Sequence, residues 1–457
     1  MASILSHTDK GVVAQEIGVY DDVRLGEFAS VDISRRLAAP RGLSGAFPPW
    51  GRLLATLFDV DVLLLVCPLL LLGLGSMAIL STDPRHSDFT AQLYTGLFGA
   101  GAAVLLSRLS YGLLERWVWW IYGLANILLL LVAFTGREAL GAQRWLDIGG
   151  FSFQPSEFAK IAVILTLASY LKRFPIKNFF NIWPVLLIVA VPALLVFKQP
   201  DLGTALVFGA VTLAMLFWGG AQLSWIILLI SPLVSAILFS IWVPLWMVWV
   251  GVMGVLAWRS LQKNPALMLT VVVVNLLSGG LGQWLWHLLQ PYQQMRLIIF
   301  LDPTIDPLGA GYHIIQSQVA IGAGQFWGRG LFAGTQTQLN FIPEQHTDFI
   351  FSAIGEELGF IGALVLLTIL VTLLWRLLVV AQNARDEFGS LLVIGFFTVL
   401  LFQTTINIGM NIGLAPVTGI PLPFVSWGRT ALLSNFIAIA LVRSVALQRK
   451  KKHLVGK

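Results

Sequence analysis

Val62-Leu63-Leu64-Leu65-Val66-Cys67-Pro68-Leu69-Leu70-Leu71-Leu72-Gly73-Leu74-Gly75-Ser76-Met77-Ala78-Ile79-Leu80 contains no charged residue and no alternation of polar with apolar positions. A continuous apolar run of about 20 residues is long enough to cross a bilayer as a helix. The strands of a membrane barrel alternate lipid-facing and lumen-facing residues, and this run does not. The rest of the chain extends the same reading. Hydrophobic residues make up 57% of the 457 positions and charged residues 11%, and the mean hydropathy is +0.81. Soluble domains lie nearer ~45–50% apolar and ~25% charged. That gap excludes an ordinary soluble globule, a disordered chain and a disulfide scaffold. The single cysteine, Cys67, sits inside the run and can form neither an internal disulfide nor a zinc site.

With 60–80 as the first span, further runs fall near 90–109, 117–135, 157–171, 179–197, 201–220, 223–240, 241–258, 264–289, 349–375, 388–411 and 428–447. The expected fold class is therefore an all-α polytopic membrane protein, a bundle of 10 to 12 transmembrane helices with large extracytoplasmic loops, twelve being favoured. Within 223–258 only Pro244 and a few tryptophans mark a turn. Residues 1–55 are polar and mixed in charge, with no apolar leader core. They read as a disordered cytoplasmic arm, leaving the first span as the targeting signal. Residues 56–447 form the transmembrane domain, and 448–457 a basic cytoplasmic tail.

The net charge of +6 is read by position, as a topology signal and not as a nucleic-acid surface. With the N-terminus inside, only Arg85, Arg137, Arg144, Lys160, Lys198, Arg296, Arg329 and Arg429 fall outside, so both termini are expected in the cytoplasm. The polar residues that remain gather in outer loops 136–156, 290–347 and 412–427. Chemistry there has no access to ATP or nucleotide sugars. It needs a substrate that arrives already activated, such as a lipid pyrophosphate.

Three outer helix starts each carry an acid. In Asn340-Phe341-Ile342-Pro343-Glu344-Gln345-His346-Thr347-Asp348-Phe349, Thr347 or Asp348 can cap the following helix. Asp348 is equally placed as a carboxylate at the water–lipid boundary, where desolvation raises its pKa toward that of a general base. In Gln154-Pro155-Ser156-Glu157-Phe158-Ala159-Lys160, Glu157 and Lys160 are spaced to pair one turn into the membrane. In Lys198-Gln199-Pro200-Asp201, the aspartate is a cap or part of a shared polar site. Glu356 lies two turns beyond Asp348 on nearly the same face. It and Glu357 read either as functional intramembrane acids or as buried hydrogen-bond partners of a neighbouring helix. Arginine forks suit phosphate, and Arg144 leads the outer arginines as a candidate. Gly309, Gly311, Gly322, Gly324, Gly328 and Gly330 lack the context of a dinucleotide fingerprint. They read as a loop packed on the membrane face, with an amphipathic stretch over 312–321 lying in the interface.

Several ordered motifs together resemble the SEDS family (shape, elongation, division and sporulation), RodA/FtsW type. They are Gly141-Ala142-Gln143-Arg144-Trp145, Gln154 to Lys160, Lys198 to Thr204, Asp306 to Ser317, Pro343 to Phe349, Gly355-Glu356-Glu357-Leu358-Gly359, and Asn407 to Met410 through Pro421 to Ser426. The resemblance covers roughly 57–447. The stretch Gly311-Tyr312-His313-Ile314-Ile315-Gln316 is closer to RodA, the elongation branch. The resemblance implies a glycosyltransferase that polymerises lipid II into glycan on the outer face of the bacterial cytoplasmic membrane. Asp348 is its implied catalytic base and undecaprenyl pyrophosphate its leaving group. Glu157, Lys160 and Asp201 are implied cavity residues, and Arg144, His346, Glu356, Glu357, Ser426 and Arg429 complete the expected binding or cavity-support set. A divalent cation, Mg or Mn, is the candidate cofactor. A class B penicillin-binding protein and the elongation machinery are the implied partners. Two departures stand out. The stretch from Gly220 to Tyr292 holds three runs where the family usually has one, and Ser426-Trp427-Gly428-Arg429-Thr430 carries Trp427 and Arg429 where Tyr and Gly are usual.

Two rival readings use the same residues differently. A lipid II flippase needs essential charges through the whole membrane depth, whereas these cluster in the outer half. A noncatalytic scaffold for a penicillin-binding protein tolerates Asp348→Asn, and an enzyme does not.

Overall fold

The computed structural model describes residues 61–455 apart from 83–86, 140, 141, 150, 308 and 310. The arm expected over 1–55 and Arg85 lie outside the described residues. Helices form at all the expected apolar runs: α1 (Leu63–Thr82), α2 (Ser87–Leu106), α3 (Tyr111–Thr135), α4 (Pro155–Arg173), α5 (Trp183–Lys198), α6 (Leu202–Trp218), α7 (Leu223–Ile241), α8 (Val243–Ser260) and α9 (Pro265–Leu288). The outer segment that follows holds the short helices α10 (Pro291–Leu301), α11 (Tyr312–Gly324) and α12 (Thr335–Gln338). Then come α13 (Ile350–Gln382), α14 (Glu387–Asn411) and α15 (Arg429–Val455). The last helix runs on through most of the expected tail.

Among the described residues, ten helices are long and apolar enough to cross a membrane. The two remaining long helices fall short for physical reasons. At 17 residues α6 is slightly short, and α4 carries Glu157, Lys160, Lys172 and Arg173. Local chemistry sets the ends of α4. Pro155 stands in its first turn, where a missing N–H costs nothing, and Glu157 there with Lys172 and Arg173 in the last turn complements the helix dipole. Its buried residues surround the helix axis, so α4 runs through the interior. It packs between α3 and α14, and α14 in turn packs on α6 and α13. Close approach depends on small residues, such as Gly395 of α14 set against Ile164 of α4. Outward-facing side chains such as Leu130, Phe134, Leu187 and Leu194 are exposed, as lipid-facing residues are.

Helices α7, α8 and α9 pack chiefly on one another. Trp242, extended at φ −160°, separates α7 from α8, just before the Pro244 that signalled the turn. A buried polar cluster joins the three. Trp246 donates to Ser235 (2.8 Å), Ser235 to the Asn275 carbonyl (2.7 Å), and Asn275 to Ser231 (3.0 Å).

The outer segment after α3 forms a small antiparallel sheet, ordered β1 (Arg137–Ala139), β2 (Ala142–Ile148), β3 (Phe151–Phe153). Leu146 pairs with Phe153 and Asp147 with Ser152, across a turn in which Gly149 takes φ 59°. Thr430 at the start of α15 donates to the Ser152 carbonyl (2.9 Å), which ties the sheet to the bundle.

Helix α13 is broken at Gly359, where φ is 65° and ψ is −162°. The outer segment splices into the break. Arg329 and Gly330 donate to the carbonyls of Glu356 and Glu357 (both 3.0 Å). Phe360 and Ile361 donate to those of Gln325 (2.9 Å) and Phe326 (3.2 Å). A Cβ at Gly359 would overlap the backbone of Trp327 and Gly328, so both strain and space require glycine. The amphipathic stretch at 312–321 forms helix α11, with Ile314, Ser317, Ala320 and Gly324 buried and its contacts made chiefly to α13.

Candidate active site

At one end of the bundle a cavity of about 260 Å³ is bounded by β2, α4, α6, α10, the turn before α13, the irregular 412–428 segment and the start of α15. Its walls include Arg144, Glu157, Lys160, Asp201 and Asp348, five of the residues expected from sequence. Three separate helix starts therefore do contribute to one polar chamber. Tyr292, Arg296, Glu344, Thr347, Gln403 and Trp427 complete much of the wall.

Asp348 does not cap its helix. The N-cap is Phe349, with no side-chain cap, and Asn411 supplies the acceptor instead, its Oδ1 receiving Ser352 N–H (3.2 Å) and Ser352 O–H (2.7 Å). The backbone around Asp348 is fixed from two sides. Its carbonyl accepts from Asn407 (2.9 Å) and Asn411 (3.1 Å). Just before it, Glu344 sits at φ 52° and its carbonyl accepts from Thr347 N–H (3.2 Å) and Phe349 N–H (3.4 Å). The Asp348 carboxylate is thereby left to face the chamber. Burial, then the neighbouring Glu344, push its pKa up to about 6, and Arg296 and Arg144 hold it from going higher. A carboxylate so poised is ionised near neutrality yet basic enough to take a proton.

Glu157 and Lys160 are both buried and paired at 2.8 Å, with Ser434 donating to the other Glu157 oxygen (2.9 Å). Asp201 caps α6, accepting from Thr204 N–H (3.2 Å) and O–H (3.0 Å), and lies 3.9 Å from Arg144. Arg144 also donates through Nη2 to the Pro200 carbonyl, while its Nε is buried without a partner.

Five expected residues lie elsewhere. Glu356 and Glu357 point away from Asp348. Glu356 accepts from the amides of Gln336 (2.9 Å) and Thr337 (3.0 Å), and Glu357 accepts from Ser81 O–H. The helical spacing from Asp348 fails as a guide because Asp348 precedes the first turn of α13. Glu356 thus satisfies amides at the start of α12, and Glu357 is tied to α1. Ser426 closes a turn by accepting from Leu422 N–H (2.8 Å). His346 faces Asp88 (3.6 Å), and its ring lies edge-on to Trp427. Arg429 begins α15, but the wall there is built by Trp427, Gly428 and Ala431.

By sequence Arg296 is one of several outer arginines, and Asn407 and Asn411 have no role of their own. The asparagines did carry a signal, being amides four residues apart in an apolar span. Arg296 carried none, since α10 brings it to the chamber from a distant segment. For the divalent cation, the donors do not fit a protein cage. Among the described residues no group of three or more His, Cys, Asp or Glu side chains clusters to hold one, and Glu157 and Asp201 are already engaged.

The chamber's residues sit in a chain with clear relatives. Over 348 residues it is 37% identical to the peptidoglycan glycosyltransferase MrdB of Escherichia coli K12, covering 76% of this chain and 82% of that one. Over 434 residues it is 33% identical to the peptidoglycan glycosyltransferase RodA of Treponema pallidum, covering 85% and 97%. Its structure resembles that of a chain from a peptidoglycan synthase complex described as coordinating polymerization and crosslinking, with TM-score 0.65, 29% identity, and coverage of 85% and 98%. The FtsW/RodA/SpoVE cell cycle protein model matches residues 55–451, nearly all of the bundle and its outer segments, and the chain belongs to that family, SEDS.

Proposed function

We propose that this protein is a peptidoglycan glycosyltransferase that polymerises lipid II into glycan strands during elongation, with Asp348 as general base. The observation that carries the reading is a carboxylate that does not cap its helix and shares one chamber with two arginines. Asp348 takes the proton of the acceptor sugar 4-hydroxyl as that oxygen attacks the anomeric carbon of the donor. The bond from that carbon to the pyrophosphate oxygen breaks, its electron pair leaves with undecaprenyl pyrophosphate, and the configuration inverts. Arg144 and Arg296 face the charge that grows on the leaving oxygen. Lys160, held by Glu157, adds a fixed positive charge at the chamber wall without needing to move.

The chamber opens on the outer face of the cytoplasmic membrane, and both termini lie inside. The distribution of lysine and arginine supports this orientation. A class B penicillin-binding protein supplies crosslinking to the product.

The test is polymerisation of labelled lipid II by the purified protein with its transpeptidase partner. Asp348→Asn keeps the side-chain shape and removes the base, so glycan synthesis is expected to fall by about 10²–10⁴-fold while folding and partner binding persist. Equal synthesis by both proteins would remove Asp348 from the mechanism. A folded variant series that moves lipid II across vesicles but never polymerises it would favour a flippase.

A further inference from the structure

The two arginines divide two spaces. On one side lies the chamber with Asp348. On the other, Arg144, Arg296 and Tyr292 also line a second cleft of about 70 Å³ between α6 and α10. The rest of that cleft is mainly apolar, formed by Leu202, Leu206, Leu297 and Val417 among others. Leu206 is 47% exposed on the outer side of α6, so the cleft continues toward the lipid-facing surface.

We propose that this cleft is the port through which the polyprenyl chain of the donor lipid leaves the site, with the donor pyrophosphate held between Arg144 and Arg296. The assignment rests on the glycosyltransferase reading and adds to it which lipid lies where. A substrate with an anionic head joined to a long hydrocarbon chain requires cations beside an apolar lane open to the bilayer. Here the same two guanidiniums border both spaces. Arg144 is anchored by the Pro200 carbonyl and Asp201, and its buried Nε still lacks an acceptor that a phosphate oxygen would provide. The Arg296 guanidinium lies 5.6 Å from the Tyr292 ring, and the Tyr292 hydroxyl donates to the Pro200 carbonyl (3.3 Å). These contacts hold the rim of the port in place. The donor, not the acceptor, belongs here because charge grows only on the donor's leaving oxygen. The acceptor must instead bring a hydroxyl to Asp348.

Two measurements test the port. In the first, p-benzoylphenylalanine replaces Leu206 in the full-length protein, and Ile237, 53% exposed on α7, serves as the lipid-facing control. The proteins are irradiated in phospholipid nanodiscs with radiolabelled undecaprenyl pyrophosphate. Labelling is expected at 206 and not at 237, and it should fall about 10-fold when Arg144 and Arg296 are both replaced by Ala. Equal labelling at both positions, or labelling indifferent to the arginines, means that bulk lipid fills the cleft and overturns the proposal. In the second, Leu206→Trp narrows the cleft. Its kcat/KM is expected to drop about 10-fold with lipid II carrying the full undecaprenyl chain and to stay within about 2-fold with a farnesyl analogue. Equal losses on both substrates also overturn it. A wild-type protein that makes no glycan would count against the transferase reading, whereas the crosslinking arm reads binding alone.

Discussion

The carbonyl of Asp348 is held by Asn407 and Asn411 while its carboxylate projects into the chamber. Division of labour between backbone and side chain lets the same residue be both fixed and reactive. Its raised pKa has two measurable consequences. The base works only when ionised, so kcat/KM should rise about tenfold per pH unit below about 6 and level off above it. Stability depends on pH in the opposite direction. Between about pH 4 and 6 the folded state holds a proton that the unfolded state has lost, so the contribution of Asp348 is greatest below pH 4 and disappears as pH rises through about 6. Asp348→Asn is therefore expected to raise the Tm at pH 7.5 and leave it nearly unchanged near pH 4. The stabilisation should be about 3 kcal/mol. The buried Glu157–Lys160 pair gives a separate prediction. Glu157→Gln or Lys160→Met alone leaves a buried charge unpaired and should cost about 3–5 kcal/mol, whereas the double variant should recover most of that loss in thermal melts.

At the scale of elements, α13 matters for its break as much as for its length. Gly359 frees two amides and two carbonyls, and residues 325–330 satisfy all four. Glu356 adds side-chain acceptors for the start of α12. The outer segment that supplies Glu344 and Asp348 is thus anchored inside the membrane helix, which restricts its motion at the chamber. Gly359→Ala forces a β-carbon into a left-handed position against the Gly328 backbone. It is expected to lower stability by about 3 kcal/mol or more, with the 325–340 segment becoming the first site of protease cleavage. Normal protease resistance in this variant would show that the splice does not hold the segment.

For the whole molecule, the described helices place the chamber at one end and the basic loops at the other. Cysteine labelling checks the orientation. With Cys67 replaced by Ala, a membrane-impermeant maleimide is expected to label Phe332→Cys in intact cells, and Lys263→Cys only after permeabilisation. The reverse pattern would invert the topology.

The apolar runs alone determined the helices, because a bilayer demands long uninterrupted stretches and tolerates little else. Pro155, Asp201 and Trp242 with Pro244 marked local starts and turns, because those effects act within a few residues. The acids at three helix starts were legible as candidates, and Asp348, Glu157, Lys160 and Asp201 do meet. What those acids face was decided by tertiary structure. Arg296 reaches the chamber on α10, Asn411 caps α13 from another helix, and Glu356 turns to the outer segment instead of to Asp348. These pairings join residues tens or hundreds of positions apart, and helical periodicity records the face a residue occupies but not the distant segment that packs against it.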